Sequence, residues 1–286
     1  MGLHNQRDVN DLHMTDKAIL HLREGKQKFS ITRHVPSEAL TPFIRHYWVV
    51  EWDLDGQLPF KQEVIQPPCL NLIFMPGATR IYGIANERTS QVLQGKGCVV
   101  GVLFQPGGFY PFWRKSVSEL TDTSIPFEDV FGCNSSELES ELFGQLTPAE
   151  RASLVDQFLL GIVPEPDPSL AVVQHVAERI MQDRAITRVD QAMDDLTMNK
   201  RSLQRLFSQY VGVGPKWVIQ RYRLHEAIEK LADGAELNWP ELAMELGYYD
   251  QAHFIHAFKA AVGMSPEEYR IRVAQNNENK VDSHVT

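Results

Sequence analysis

The chain has 286 residues, a formal net charge of −9 at pH 7, and a composition that is 43% hydrophobic and 23% charged. That length allows about two domains, and the composition is typical of a soluble globular protein. No apolar run is long enough to cross a bilayer, and the first residues lack the apolar segment of a signal peptide. We therefore expect a cytoplasmic protein that does not contact a membrane.

The cysteines lie far apart in the sequence, at Cys69, Cys98 and Cys133, and they form no CxxC or CxxH pair. Such spacing argues against disulfides and against a zinc site. It agrees with a reducing cytoplasm. We expect no metal, no cofactor and no catalytic residue in this chain.

Changes in composition divide the chain into five segments. The two ends are polar, with a flexible arm over 1–28 and a tail over 274–286. A β-rich region covers 29–163, a proline-rich linker covers 164–168, and a helical region covers 169–273. The predicted fold class is α+β in two domains, an N-terminal antiparallel sandwich or barrel with helices and an all-α C-terminal domain.

The region after the arm alternates short runs of aromatic and β-branched residues with Gly/Pro turns, which predicts strands. No helical pattern separates these runs, so the strands should form an antiparallel sheet. Helical periodicity returns after Ser135. The predicted strands are Phe43–Trp52, Cys69–Met75, Arg80–Ile84 and Cys98–Gln105, and the helices that follow are Glu137–Leu146, Pro148–Leu160 and Leu170–Met181.

A glycine pair, Gly107-Gly108, precedes a cluster of aromatic residues. The pair lacks the surrounding residues of a phosphate-binding loop. Two interpretations remain open: a turn that leads into aromatic core residues, or an aromatic-walled pocket for a small apolar effector. The residues expected to line such a pocket are Tyr47, Trp48, Phe104, Phe109, Phe112 and Trp113.

The stretch Asn199–Tyr210 is predicted to be a short helix with one apolar and one cationic face. Asn199 can cap its first turn. From Leu196 to His225 the chain has six basic residues and no acidic one, although its net charge is −9. Because binding to a polyanion depends on local charge, this cationic face is a candidate binding surface. The apolar face has Leu203, Leu206, Phe207 and Tyr210, and the cationic face has Lys200, Arg201, Gln204, Arg205 and Ser208.

The C-terminal third repeats itself with a period of fifty-one residues. Each copy has a short helix, a tight turn, a second helix, a Val-Gly pair and a proline that opens another helix. Two short helices joined by a tight turn form a helix-turn-helix, whose second helix can enter the major groove of DNA. The alternative is a purely structural helical bundle. The matched pairs are Ala192/Ala243, Leu203/Phe254, Phe207/Phe258, Val211-Gly212/Val262-Gly263 and Pro215/Pro266.

The recognition helices predicted from this repeat are Asn199–Tyr210 and Asp250–Ala261, joined by the long helix Pro215–Leu231. Their short partner helices are Val189–Leu196 and Glu241–Leu246. Suitably oriented, the pair could reach major-groove segments roughly 34 Å apart. We also expect caps at Asn238 and Ser265, the latter in a capping box.

Residues from about 187 to 272 resemble the DNA-binding domain of the AraC/XylS family of bacterial transcription regulators. The resemblance rests on Ser202–Phe207, Gly247–Phe254 and Phe258–Arg270. It implies a transcription factor activity with sequence-specific binding to double-stranded DNA, and RNA polymerase as a further partner.

By this resemblance, the first recognition helix should present Arg201, Gln204 and Arg205 to bases, and arginine and glutamine can pair with guanine and adenine. The second should present Gln251, Ala252 and His256, but Ala252 is apolar and family members often have arginine where His256 stands. We therefore expect the first helix to carry most of the direct readout, with shape reading and a thymine-methyl contact from the second. Candidate phosphate contacts are Lys200, Lys216, Arg221 and Lys259.

The N-terminal region resembles an uncharacterised sensor-like domain that precedes this DNA-binding unit in some relatives, over Pro42–Trp48, Gly101–Gly108 and Ser118–Asp122. This resemblance implies no particular ligand. Sensing of a small molecule and homodimerisation are both open as roles, as is a protein–protein interaction module without a ligand. An enzyme such as an alkyl-transfer repair protein is a further alternative, but three dispersed cysteines argue against its chemistry. Cys69 is the one thiol worth testing, and a buried core cysteine is its ordinary interpretation.

Overall fold

The computed structural model describes residues 19–20, 22–165, 167–232 and 238–281. Most of the predicted flexible arm, 1–18 and residue 21, lies outside the described residues, as does the end of the predicted tail, 282–286. Within the described residues, the protein has a β-rich N-terminal part and an all-helical C-terminal part, so the predicted fold class is confirmed.

The N-terminal strands pair in two antiparallel sheets. A six-stranded sheet has the order β1-β2-β7-β4-β5-β8, and a two-stranded sheet pairs β3 with β6. Neither sheet contains a parallel pair among the registers of the described residues, as the sequence predicted. The strands are β1 (Ser30–His34), β2 (Ile44–Leu54), β3 (Phe60–Val64), β4 (Asn71–Phe74), β5 (Arg80–Tyr82), β6 (Thr89–Leu93), β7 (Gly95–Phe104) and β8 (Ser124–Pro126).

The two faces of the six-stranded sheet have different neighbours because side chains alternate along each strand. On one face, Tyr47 is fully buried and its hydroxyl donates to Asp156 Oδ1 over 2.9 Å. Asp156 lies on a helix that packs on this face. On the opposite face, Trp48 lies beneath the two-stranded sheet and lines a cavity. The helices of this part are α1 (Leu22–Gly25), α2 (Tyr110–Trp113), α3 (Glu128–Phe131), α4 (Ser136–Leu142) and α5 (Pro148–Leu160).

The C-terminal part has two helix-turn-helix units joined by the long helix α9, as the repeat predicted. In the first, the short helix is α7 and the recognition helix is α8, and in the second they are α10 and α11. The helices are α6 (Pro168–Gln182), α7 (Val189–Ala192), α8 (Lys200–Tyr210), α9 (Pro215–Ala232), α10 (Trp239–Glu245), α11 (Gln251–Val262) and α12 (Pro266–Val281).

The fifty-one-residue repeat is also a repeat of buried positions, because equivalent residues of both copies lie in the core. Gly212 and Gly263, which end the two recognition helices, both have left-handed backbones, with φ of 99° and 83°. Glycine adopts this conformation without steric cost, which explains the Val-Gly pair in each copy. The apolar residues with an exposed fraction of 0% are Ala192, Leu203, Phe207 and Val211 in the first copy and Ala243, Phe254, Phe258 and Val262 in the second.

Two of the three predicted side-chain caps are present. Asn199 Oδ1 accepts from Ser202 N over 2.9 Å, and Ser265 forms the reciprocal bonds of a capping box with Glu268. Asn238 occupies its predicted cap position, although its side chain makes no capping bond. These caps satisfy backbone donors at helix starts, so the sequence located the starts of these helices to within a residue or two.

The N-terminal and C-terminal parts share one hydrophobic core. Phe104 and Phe109 of the N-terminal part belong to the same buried cluster as Leu203 and Phe207 of α8. The predicted linker takes part as well, because Asp167 caps α6 and accepts from the hydroxyl of Tyr210 over 2.6 Å. The recognition helix of the first unit is therefore packed directly on the N-terminal domain.

The described end of the predicted arm is packed rather than loosely held. Leu20 is fully buried against Ile65 and residues of the second helix-turn-helix unit. Its backbone N–H donates to Glu63 O over 3.0 Å, and its carbonyl accepts from Gln62 over 2.7 Å. The arm boundary at residue 28 is thus too late, since ordered packing begins at Ile19 at the latest.

His46 provides a test of this packing through pH. It is fully buried, and neither of its ring nitrogens has a hydrogen-bond partner among the described residues. Burial, aided by Arg33 and Arg45, lowers its pKa to about 3 from 6.5. Below pH 6.5 the His46 side chain therefore takes up a proton in the unfolded chain but stays neutral in the folded chain. The free energy of unfolding is unaffected by this residue above pH 6.5 and decreases as the pH falls below that value.

We expect the free energy of unfolding to fall by about 2 kcal/mol between pH 7 and pH 5 through this residue. Urea unfolding at both pH values, in the unmodified protein and in His46→Gln, measures the difference. The variant should show a smaller fall. An equal fall in both proteins would contradict the assignment to His46.

Candidate DNA interface and ligand cavity

The exposed face of α8 is cationic. Lys200, Arg201, Gln204 and Arg205 are all exposed, on the side of the helix opposite the buried Leu203. The cap at Asn199 and the apolar packing hold this helix in place, so its polar face is presented on a rigid element. The structure brings together all three residues predicted to read bases from this helix.

The exposed face of α11 carries fewer donors. Ala252 and His256 are exposed, Gln251 is half-buried, and Lys259 is exposed near the C-terminal end of the helix. The N-terminus of α11 is capped by Asp250, whose carboxylate accepts from His253 N over 2.7 Å. The two recognition helices therefore share their packing but differ in the chemistry of their outer faces.

The residues predicted to contact phosphates fall into two groups, three exposed lysines and one buried arginine. Lys216 and Lys259 are exposed. Lys200 is exposed too, and its ammonium lies 2.5 Å from Asp190 Oδ1. Both side chains of that pair are more than half exposed, so solvent screens the pair and leaves the lysine able to exchange partners.

Arg221 corrects the prediction from the sequence. Only 4% of this residue is exposed, and its Nη2 donates to the carbonyls of Ala85 and Asn86 at 3.0 and 2.8 Å. Its guanidinium also lies 4.4 Å from the ring centroid of Trp217. Burial lowers its pKa to about 10, which leaves it charged near neutral pH. Arg221 therefore joins α9 to the N-terminal domain and does not face solvent, where DNA would lie.

The N-terminal domain contacts the ends of both recognition helices, at the Val-Gly pair of each copy. After α8, the carbonyl of Gly212 accepts from Thr121 Oγ1 over 3.1 Å. At the end of α11, the carbonyl of Val262 accepts from Arg88 Nη1 over 2.8 Å. Arg88 also pairs with Glu63 of β3. These bonds satisfy carbonyls that a helix end leaves free, and they fix both helix-turn-helix units to the same domain.

A cavity of about 320 Å³ lies between the six-stranded and the two-stranded sheet. Its volume is at the lower end of the range for small-molecule sites. Trp48 and Trp52 form one wall, and each indole lies over a glycine of β7. A Cβ on Gly101 would come within 2.0 Å of Trp48, and one on Gly97 within 2.1 Å of Trp52. These glycines leave room for the indoles. Further lining residues are Ile31, Val50, Ile73, Tyr82 and Leu103.

The wall opposite the tryptophans carries two side-chain amides, Gln62 and Gln66. The Oε1 atom of each is buried and has no hydrogen-bond partner among the described residues. A buried acceptor without a donor costs free energy. The cavity therefore combines mostly apolar walls with two acceptors and the guanidinium of Arg33, which also lines it. This lining suits a largely apolar molecule that carries a polar group.

Most residues of the predicted effector pocket do not line this cavity. Of its residues, only Trp48 lines the cavity. Tyr47 must face the other way, because neighbours in a strand point to opposite faces. Phe104 and Phe109 are fully buried with ring centroids 5.2 Å apart, and Phe112 packs 5.8 Å from Phe104. These rings form core between the two domains, as the alternative interpretation of the glycine pair held. Trp113 is half-buried at the edge of that core.

Among the described residues, no group of three or more His, Cys, Asp or Glu side chains is arranged to hold a metal ion. In the same part of the chain, no helix is long and apolar enough to cross a membrane. Cys69 is buried, Cys98 is half-buried and Cys133 is exposed, and these three cysteines form no disulfide.

Comparisons with known proteins agree with this division. Residues 193–272 match a family described as a helix-turn-helix domain, and residues 32–126 match a family described as a domain of unknown function, DUF6597. An uncharacterized HTH-type transcriptional regulator of Haemophilus influenzae is 26% identical over 129 residues, 45% of this chain. The match spans 42% of that relative's length.

Two solved structures are also similar. ToxT from Vibrio cholerae O395 aligns over 86% of this chain and 98% of its own, with 13% identity and a TM-score of 0.37. The xylose-binding transcription activator XylR aligns over 42% of this chain and 37% of its own, with 23% identity and a TM-score of 0.29.

Proposed function

We propose that this chain is a sequence-specific transcription regulator of the AraC/XylS type, because its C-terminal part has two helix-turn-helix units and matches a helix-turn-helix family. In this proposal α8 and α11 enter adjacent major-groove segments of double-stranded DNA, and RNA polymerase is a further partner. The cytoplasm is the compartment that such a function implies.

The observation that carries the DNA-binding function is the exposed face of α8. Arg201, Gln204 and Arg205 combine the donors and acceptors that read guanine and adenine edges, on a capped helix whose other side is fully packed. On α11, Gln251, Ala252 and His256 offer fewer donors, so we assign most direct readout to α8. Lys216, Lys259 and Lys200 are retained as phosphate contacts.

We further propose that the cavity binds an effector and that the N-terminal domain transmits its presence. Tyr82 and Thr89 line the cavity and flank the loop 83–88. That loop supplies the carbonyls bonded by Arg221 and, in Arg88, the donor to the end of α11. A ligand that shifts either flank changes the free energy of these contacts, which is what coupling between two sites requires.

The chemistry of the cavity favours a small, flat and largely apolar effector. The indoles of Trp48 and Trp52 offer stacking surfaces, and the acceptors of Gln62 and Gln66 favour a hydroxyl or amide donor on the ligand. Such a ligand would satisfy buried polar atoms that are otherwise left without a donor.

A cavity-filling variant tests the effector site. Ile73→Trp adds a bulky side chain to a wall of the cavity, so it should abolish ligand binding while DNA binding persists. Thermal unfolding is measured with a panel of phenols, aromatic alcohols and aromatic amides. In the unmodified protein, a ligand at a hundred times its Kd should stabilise by about 2.7 kcal/mol, and in Ile73→Trp the shift should vanish.

Leu58→Trp is the matched control, since it adds a similar volume at a residue that is 86% exposed, and it should keep the shift. The absence of a shift with every compound would favour a protein–protein interaction module or a homodimer, which mass measurement would separate. An alkyl-transfer repair enzyme is not retained, because the matched relative is an HTH-type transcriptional regulator and Cys69 is only 1% exposed.

A further inference from the structure

A second cluster of cations lies beside α8, on the N-terminal domain. A cleft of about 430 Å³ separates the residues that follow α2 from the outer face of α8. Arg114 and Lys115 line it from one side and Arg205 from the other. The remaining lining residues carry hydroxyl or amide groups, and no carboxylate lines the cleft. The cleft is thus a concentration of positive charge on a chain whose net charge is −9.

The segment that carries these cations is held firmly against α8. The rings of Tyr110 and Tyr210 lie 4.0 Å apart, and Gln209 Nε2 donates to the Tyr110 hydroxyl over 2.6 Å. Arg114 has a left-handed backbone with φ of 56°, and its N–H ends α2 by donating to Tyr110 O over 2.7 Å. A left-handed backbone is strained for arginine, so the surrounding contacts must impose this conformation.

The charged groups themselves remain available to a partner. Arg114 and Lys115 are both exposed. The Lys115 ammonium lies 4.2 Å from the Trp113 ring centroid, a contact that restricts the side chain without neutralising its charge.

The cleft opens on the side of α8 that carries the base-reading residues. Arg205 and Ser208 lie four and seven positions after Arg201, so the three share one face of the helix. When that face enters a major groove, a sugar–phosphate strand must pass along the C-terminal half of the helix, where the cleft lies.

We propose that Arg114 and Lys115 form a basic ridge that binds DNA phosphates next to the segment read by α8. The N-terminal domain would then be part of the DNA interface as well as a sensor. This inference rests on the proposed DNA-binding function. It extends the interface beyond the helix-turn-helix units, to residues of the region that matches the domain of unknown function.

The test compares the full-length protein with its Arg114→Ala/Lys115→Ala double variant, on DNA selected by the unmodified protein and on random DNA. Because phosphate contacts carry no sequence information, the double variant should lose affinity for both DNAs by the same factor, about tenfold. The slope of log affinity against log salt should fall by about 1.8, or 0.9 for each contact. The charge-conserving Arg114→Lys/Lys115→Arg variant should keep both values.

Lys96→Ala is the matched control for removal of a surface cation. Lys96 lies near the start of β7, whose other end at Phe104 adjoins α8, so the lysine is roughly 25 Å away along the strand. The Lys96→Ala variant should keep the DNA affinity and the salt slope of the unmodified protein. Unchanged binding by the double variant would overturn the ridge, and tighter binding would show that the segment obstructs DNA. Failure of the unmodified protein to bind any DNA would instead contradict the proposed function.

Discussion

Replacing Arg201 by alanine should lower affinity for the preferred DNA site by about 1–3 kcal/mol, the value of one bidentate contact with a guanine. Affinity for random DNA should change much less. The reason is geometric: Arg201 is exposed in the first turn of α8, the end that enters the groove in a helix-turn-helix. Binding to operator variants and to random DNA, measured at one salt concentration, gives both values.

Lys216→Ala is the control for this experiment. Lys216 is exposed in the first turn of α9 and is proposed to bind a phosphate, so its loss should weaken binding to both DNAs equally. Equal losses on both DNAs for Arg201→Ala would show that Arg201 also contacts phosphate. Binding by the unmodified protein should fall steeply with salt despite the net charge of −9, and a flat response would count against the cationic face of α8.

Replacing Arg221 by alanine should destabilise the protein and leave the salt dependence of DNA binding intact. The change removes two bonds from a charged donor and leaves the carbonyls of Ala85 and Asn86 without it. Charged hydrogen bonds of this kind contribute about 1.5–3 kcal/mol each. Two such bonds give an expected loss of about 3–6 kcal/mol in the free energy of unfolding, measured in urea with the full-length protein.

Lys216→Ala should give the reverse pattern, an unchanged stability and a salt slope lower by about 0.9. Lys216 and Arg221 lie five positions apart on the same helix, α9. A difference between the two variants therefore reflects the burial of Arg221 and not the helix on which it lies. A lower salt slope for Arg221→Ala, with stability unchanged, would restore the prediction from the sequence that Arg221 contacts phosphate.

The helical half of this protein was largely predictable because its signals are local. Apolar residues at helical spacing define α8, and Asn199 and Ser265 mark helix starts through side-chain caps. The Val-Gly pairs end both recognition helices because a left-handed residue there favours glycine. Periodicity and caps depend only on neighbouring residues, so they can be recognised in the sequence without knowledge of the tertiary fold.

The cavity was not predictable in the same way. Strands β3 and β6, which form its second wall, carry polar residues such as Lys61, Glu63 and Gln91, so an apolar pattern does not mark them. The wall formed by β2 and β7 does have a recognisable pattern in the sequence. Trp48 and Trp52 are four residues apart, as are Gly97 and Gly101, and antiparallel pairing sets each indole against a glycine.

Arg221 shows a further limit of reading charge from a sequence. Between Leu196 and His225 it counts as one of six basic residues without an acidic neighbour. Its carbonyl partners, Ala85 and Asn86, are more than a hundred positions earlier in the chain. A buried arginine bonded to backbone carbonyls needs no acidic partner, so charge segregation along the sequence cannot distinguish it from a DNA contact.

Selection of binding sites from random DNA by the full-length protein tests the central claim, that two unequal recognition helices read adjacent segments of DNA. We predict a bipartite site with centres about 10–10.5 base pairs apart. One segment, read by α8, should be strongly specified, and the other, read by α11, should be weakly specified. Arg201→Ala should relax the strong segment alone. A single specified segment, two equal segments or no enrichment at all would contradict the account.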